Sequence, residues 1–260
     1  MNYGTHLEVG YEVAPKLVAD HMPQFGLGVM LPDLIAMSGS RVDRGVTAGR
    51  QTPLVRGVKF HQRTDTIFHS QDPFRELRST VQDDLESLAQ NPHQARGWSE
   101  VGIELLIDGM MFQSRDLRRR YKESMALSKK EYAAISIGNI AVSGRRFVDW
   151  LSAYADHGIP VYETPADVVR ALYRRLATRD LGRRAGSGVR LGFDRDQGGR
   201  IIEIFEAHLD DIHETGQALV KNTIAELRNP KTTVTVLDPV DPDSIRRAGD
   251  HGHLRAHRRY

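Results

Sequence analysis

Three polar side chains in the segment GVKFHQRTDTIFH, Gly57 to His69, fall at successive i, i+4 positions: His61, Asp65 and His69. On a helix each such step turns by about 40° and rises about 6 Å, so all three share one face. His61 and Asp65, as neighbours on that face, are spaced to share a cation. His61 and His69 begin roughly 12 Å apart along the axis, which makes His69 a candidate to support the first ligands or to join a second metal. The same residues on a solvated face would be ordinary surface groups. What decides between these readings is which other donors the chain brings to them.

A second helical stretch, Ser99 to Phe112, is largely apolar yet carries Glu104 and Asp108 one turn apart. Carboxylates in such surroundings are costly unless paired, hydrogen-bonded or bound to a cation. The partner is either a metal ion or an arginine such as Arg63 or Arg78. Asp33 raises the same question inside the apolar run FGLGVMLPDLIAM, Phe25 to Met37, with helix capping after Pro32 as its alternative. His6, beside Leu7, taken alone reads as a core histidine with its hydrogen bonds satisfied. Because the chain contains no cysteine, thiolate metal sites, disulfides and cysteine nucleophiles are excluded. Any metal must be held by His, Asp and Glu.

Helices must position these groups. Apolar residues recur at three- and four-residue spacing from about residue 50 to 228, and alternating runs are nearly absent, which predicts an all-α fold. Asp72 with Pro73 opens one helix through Leu77, Val81 and Leu88. Ser128 with Glu131 opens another that continues to Leu151, and Thr164, Pro165 and Asp167 start a third. Arg200 to Leu227 reads as one long amphipathic helix ending before Pro230. Gly39 to Gln51 and Asp180 to Gly199 read as surface loops. With 260 residues and 40% hydrophobic content, the chain can build a sizeable core. The expectation is a single HD-like helical domain over 1–228 and a short, mostly flexible C-terminal extension over 229–260, rich in His and Arg.

A formal net charge of +2 gives no strong global field, so nucleic acid is not an expected partner. The start, Met1 to Val13, has no basic segment followed by an apolar one, and Tyr132 to Gly144, the longest uncharged stretch, falls short of the ~20 residues a membrane span needs. The expected location is cytoplasmic, with no membrane span.

Taken in order, MNYGTHL, GVMLPDL, GVKFHQRTDTIFHSQDPFRELR and EVGIELLIDGMM resemble the motifs of acyl carrier protein phosphodiesterases, all-helical relatives of the HD-type metal phosphohydrolases. The likeness extends more weakly to EAHLDDIHETGQAL, Glu206 to Leu219, where His208 matches a late histidine of the family. It covers roughly 1–228. The resemblance implies hydrolysis of the phosphodiester that joins 4′-phosphopantetheine to a serine of holo acyl carrier protein. It also implies a divalent cation, typically manganese, with iron or zinc as other choices.

By the same resemblance His61, Asp65 and Asp108 hold the metal. Asp33 completes the cation site or accepts a proton from water, and His6 protonates the leaving serine oxygen or orients the phosphate. His69, Glu104 and His208 are candidates for supporting positions or for a second metal. Two departures stand out: Asp108 is followed by Gly109 where the family shows a histidine, and His69 stands where the family has an aspartate. These leave open a catalytically lapsed module that binds a carrier protein, and an HD-like phosphohydrolase acting on a nucleotide or small phosphoester. Acyl carrier proteins are acidic, so Arg118, Arg119 and Arg120, with Arg63 nearer the expected ligands, are candidates to bind the partner or a phosphate.

Overall fold

Apolar spacing becomes helix in the described residues. The structure, a computed structural model, describes residues 2–14, 21–38, 53–127, 144–182 and 193–229, and among these there are ten helices and no strand. In chain order they are α1 (Tyr3–Val13), α2 (Met22–Met37), α3 (Pro53–Ser70), α4 (Asp72–Glu86), α5 (Pro92–Met111), α6 (Arg115–Met125), α7 (Gly144–Asp156), α8 (Pro165–Gly182), α9 (Arg195–Ala207) and α10 (Leu209–Arg228). The expected all-α class is what is found. No helix among the described residues is long and apolar enough to cross a membrane.

Local sequence sets the helix starts. Asn91 accepts the Gln94 N–H at the head of α5, with Pro92 at the first helical position, so this helix begins well before Ser99. At the head of α8 the Thr164 hydroxyl accepts the Asp167 N–H while the Asp167 carboxylate accepts from Thr164. Asp194 and Gln197 form a reciprocal capping box that starts α9 inside the stretch expected to be a loop. At the other end of that stretch α8 runs to Gly182, and residues 183–192 lie outside the described residues.

The expected single helix from Arg200 to Leu227 is two. Apolar periodicity continues across the join, but His208 leaves helical geometry at φ −103°, ψ 5°, and its Nε2 pairs with Asp84 Oδ2 of α4 at 2.7 Å. Asp210 and Asp211 in the next turn favour the new N-terminus left by this break. The expected loop over 39–51, the first half of the helix expected from Ser128 and the extension beyond Asn229 lie outside the described residues.

The centre of the fold is α1, a short helix packed by α2, α3, α5, α6 and α10. Tyr3, Leu7 and Val9 are fully buried, each such side chain contributing roughly 1.5–3 kcal/mol of apolar burial. The tightest crossing is between α2 and α3, where a Cβ on Gly28 would stand 2.1 Å from the Leu54 carbonyl oxygen and one on Gly57 would stand 2.3 Å from that of Phe25. Backbone meets backbone there, and only glycine permits it.

Gly57→Ala is therefore expected to force α2 from α3 and lower stability by about 1–3 kcal/mol. Gly97→Ala, inside α5 with nothing within 4 Å of the new methyl, is expected to raise it by about 0.5–1 kcal/mol. Urea denaturation of both variants measures the difference; equal effects would refute the backbone-contact account.

Candidate metal centre

His61 is fixed by that crossing. With the α2 and α3 backbones in contact, the ring Nδ1 reaches the Val29 carbonyl oxygen at 2.8 Å, and a carbonyl can only accept. Nδ1 therefore carries the hydrogen, and the Nε2 lone pair is left for another partner. His6, from α1, stacks on the His61 ring with centroids 3.7 Å apart. It is fully buried, and neither of its ring nitrogens has a hydrogen-bond partner. The nearest acidic atom is Asp65 Oδ1, 3.6 Å from His6 Nε2. Burial above all pushes both histidines down to about 4, so both are neutral at physiological pH and offer lone pairs.

Asp33 completes the group. It lies in the middle of α2, one residue after an internal proline, and so does not cap a helix start. One ligand atom each from His6, Asp33 and His61 lies within 4.8 Å of the others. Three helices thus bring two neutral imidazoles and a carboxylate to one point, a donor set suited to a hard or borderline divalent cation.

Next along α3, Asp65 bridges to a second cluster. Its Oδ1 is 3.2 Å from His69 Nε2, which is itself 3.3 Å from Glu104 Oε1 of α5. Burial would lower His69, but the two carboxylates outweigh it and raise the ring to about 9, making it an imidazolium at neutral pH. For Glu104 burial is likewise outweighed, here by neighbouring positive charge, that of His69 included, and its carboxyl falls to about 2. The face opens to solvent at Asp65, whose side chain is 41% exposed against 25% for His69 and none for His6.

Asp108 has a different partner from the one expected. Its carboxylate accepts hydrogen bonds from Gly4 N–H at 3.0 Å, Thr5 N–H at 2.7 Å and the Thr5 hydroxyl at 2.6 Å, all in the first turn of α1. The exposed N–H groups of a helix start suit a carboxylate. Burial nevertheless raises Asp108 to about 7, with the charge of Asp33 adding to the rise. Among the described residues, neither group of three convergent donors contains Asp108. It stands beside the His6, Asp33 and His61 group and anchors the helix that supplies His6.

The other expected positions separate from the centre. His208 is engaged by Asp84. Arg63 is two residues from both His61 and Asp65, about 200° around α3, and so faces away from them. Arg118 pairs with Glu163, Arg119 with Asp116 and Glu123, and Arg120 with Glu8. The basic run is a charge-compensated face. Sequence reasoning overlooked Glu100, which groups with His69 and Glu104; it is one turn before Glu104 on α5, so the spacing arithmetic applied to α3 would have found it. It also overlooked the Val29 carbonyl and the first turn of α1, which as backbone groups have no signature in residue type.

Compared with known proteins, the chain matches no family model, no curated protein and no solved structure.

Asp108→Ala removes the acceptor for two backbone N–H groups and a hydroxyl in a dry interior. The metal-free protein is expected to lose roughly 2–4 kcal/mol in chemical denaturation, and Thr5→Val, which removes one of the three bonds, about 1 kcal/mol. A loss at Asp108 no larger than that at Thr5 would contradict its role as the anchor of α1.

Proposed function

We propose that this protein is a metal-dependent phosphodiesterase related to the acyl carrier protein phosphodiesterases, acting in the cytoplasm on the 4′-phosphopantetheine–serine linkage of a holo carrier protein. The observation that carries the chemistry is the convergence of His6, Asp33 and His61, with two buried imidazole rings stacked and the nitrogens of His6 lacking any hydrogen-bond partner. A fully buried polar ring without a partner costs about 1–3 kcal/mol, and a cation removes that cost. The donors fit manganese, iron or zinc. The substrate rests on the ordered motifs that resemble the family.

A divalent cation bound there would supply positive charge beside the phosphoryl oxygens and make a nearby water acidic enough to act as nucleophile. The chain's own residues do the rest. His61, whose tautomer is set by the Val29 carbonyl, and His6, buried on α1, each hold a ring nitrogen within 4.8 Å of the other and of Asp33, so the donors gather with little reorganisation. Asp33 adds the negative charge that favours a dication over a proton at that position. Asp65, at the solvent-facing edge, is placed to accept a hydrogen bond from the attacking water and orient it. His6 is neutral and enclosed, so it serves better as a donor of its lone pair than as the acid for the leaving serine oxygen.

The Gly109 departure has a local cause that bears on this reading. A Cβ there would stand 1.9 Å from the Tyr162 carbonyl oxygen, so no imidazole fits at that position beside the 159–164 segment. His6 and Asp33 contribute donors in a set that does without it.

The purified protein is expected to carry divalent metal, to lose it on His61→Ala with helicity unchanged by circular dichroism, and to convert holo carrier protein to its apo form by mass spectrometry. Asp33→Ala should slow that conversion by at least about a hundredfold. Carrier-protein binding without a mass change would replace this reading with a lapsed binding module. Turnover restricted to small phosphodiesters would replace it with a different phosphohydrolase.

A further inference from the structure

The polar ladder on α3 meets a second ladder on α5. His61, Asp65 and His69 climb α3 in single turns, while Glu100, Glu104 and Asp108 climb α5 in the same way, and the two are joined where His69 faces Glu104 at 3.3 Å. His69, Glu100 and Glu104 each offer a ligand atom within 4.8 Å of the other two. Between this trio and the His6, Asp33 and His61 group sits one oxygen, Asp65 Oδ1, 3.2 Å from His69 Nε2 and 3.6 Å from His6 Nε2.

We infer that the centre holds two divalent cations, the second bound by His69, Glu104 and Glu100, with the carboxylate of Asp65 shared between the two positions. The inference rests on the first cation position proposed above. Ligand atoms around a cation bound at ~2.0–2.2 Å stand ~3.0 Å apart in octahedral and ~3.5 Å apart in tetrahedral geometry. The separations of 3.2 and 3.3 Å around His69 fall in that range. The nitrogen on the far side of Asp65 belongs to His6, a fully buried ring with no hydrogen bond of its own, turned towards the same carboxylate oxygen. A carboxylate between two nitrogen donors from different helices is the arrangement by which one acid serves a pair of metals, and paired cations stabilise both the attacking and the leaving oxygens of a phosphoryl transfer.

The competing occupant is a proton. Without metal, His69 sits between Asp65 and Glu104 at 3.2 and 3.3 Å, and Arg78 and Arg96 each approach Glu100 at 3.7 Å. On metal binding His69 gives up its proton and Glu100 exchanges these long arginine contacts for the cation.

Equilibrium dialysis of the chelator-treated full chain against manganese, read by elemental analysis and electron paramagnetic resonance, separates the two occupants. Two manganese ions per chain are expected, with an exchange-coupled spectrum in place of the isolated six-line signal. Glu104→Gln combined with His69→Gln should halve the stoichiometry and restore the six-line signal. A single ion in the native chain, unaffected by those substitutions but lost on His61→Ala, would overturn the second position and leave the first intact. No bound ion at all would overturn both. The native stoichiometry decides the matter even where a variant fails to fold.

Discussion

Everything at this centre depends on a carboxylate buried against the start of a helix. Asp108 of α5 receives the first free N–H groups of α1 together with the Thr5 hydroxyl. An 11-residue helix is marginal in isolation, so α1 exists because its neighbours enclose it and because its exposed N–H groups find an acceptor. His6 is one residue beyond the last of those contacts. Fixing the first turn of α1 fixes the position and rotation of His6, and thereby the gap between His6, His61 and Asp65. The raised pKa of Asp108 reflects the tension in this arrangement: burial opposes the charge, and three hydrogen bonds recover only part of what water would supply.

The second constraint is geometric. Ordinary helix pairs stand 8–10 Å apart because side chains separate them. At Gly28 and Gly57 nothing does, so α2 and α3 approach until backbone atoms touch. The consequence appears one turn away, where His61 of α3 can reach the Val29 carbonyl of α2. A larger residue at either glycine would add separation, the imidazole would lose its hydrogen-bond acceptor, and its tautomer would no longer be set. Packing in the core and the orientation of a donor are here one property.

Much of this was legible in the sequence wherever an argument needed only one helix. The shared face of His61, Asp65 and His69 follows from 3.6 residues per turn, and the cost of Glu104 and Asp108 follows from their apolar neighbours. The all-α class followed from the same periodicity. What could not be read was the partner across space. Asp108 asked for a cation or an arginine and found backbone N–H groups, which every residue but proline carries and which therefore leave no mark in composition. Taken alone His6 read as an ordinary core histidine, and only the family resemblance placed it at the site; nothing local to MNYGTHL says that its ring stacks on another imidazole about 55 residues away. The break at His208 was hidden because Ile204, Leu209 and Ile212 keep their apolar spacing across it, while its cause is an acid on α4.

Gly109 shows how such long-range contacts shape a site's donor set. Judged from the motif alone, a glycine where the resembled family shows histidine reads as a lost ligand and a lapsed enzyme. In three dimensions the Tyr162 carbonyl lies where a side chain at 109 would begin, and the Tyr162 hydroxyl reaches Tyr3 of α1 at 2.6 Å. The segment that excludes an imidazole at 109 is thus the one that also clamps the first residue of α1, three residues before His6. No imidazole fits at 109, while α1 is held where His6 stacks on His61, and one turn earlier on α5 Glu104 meets His69.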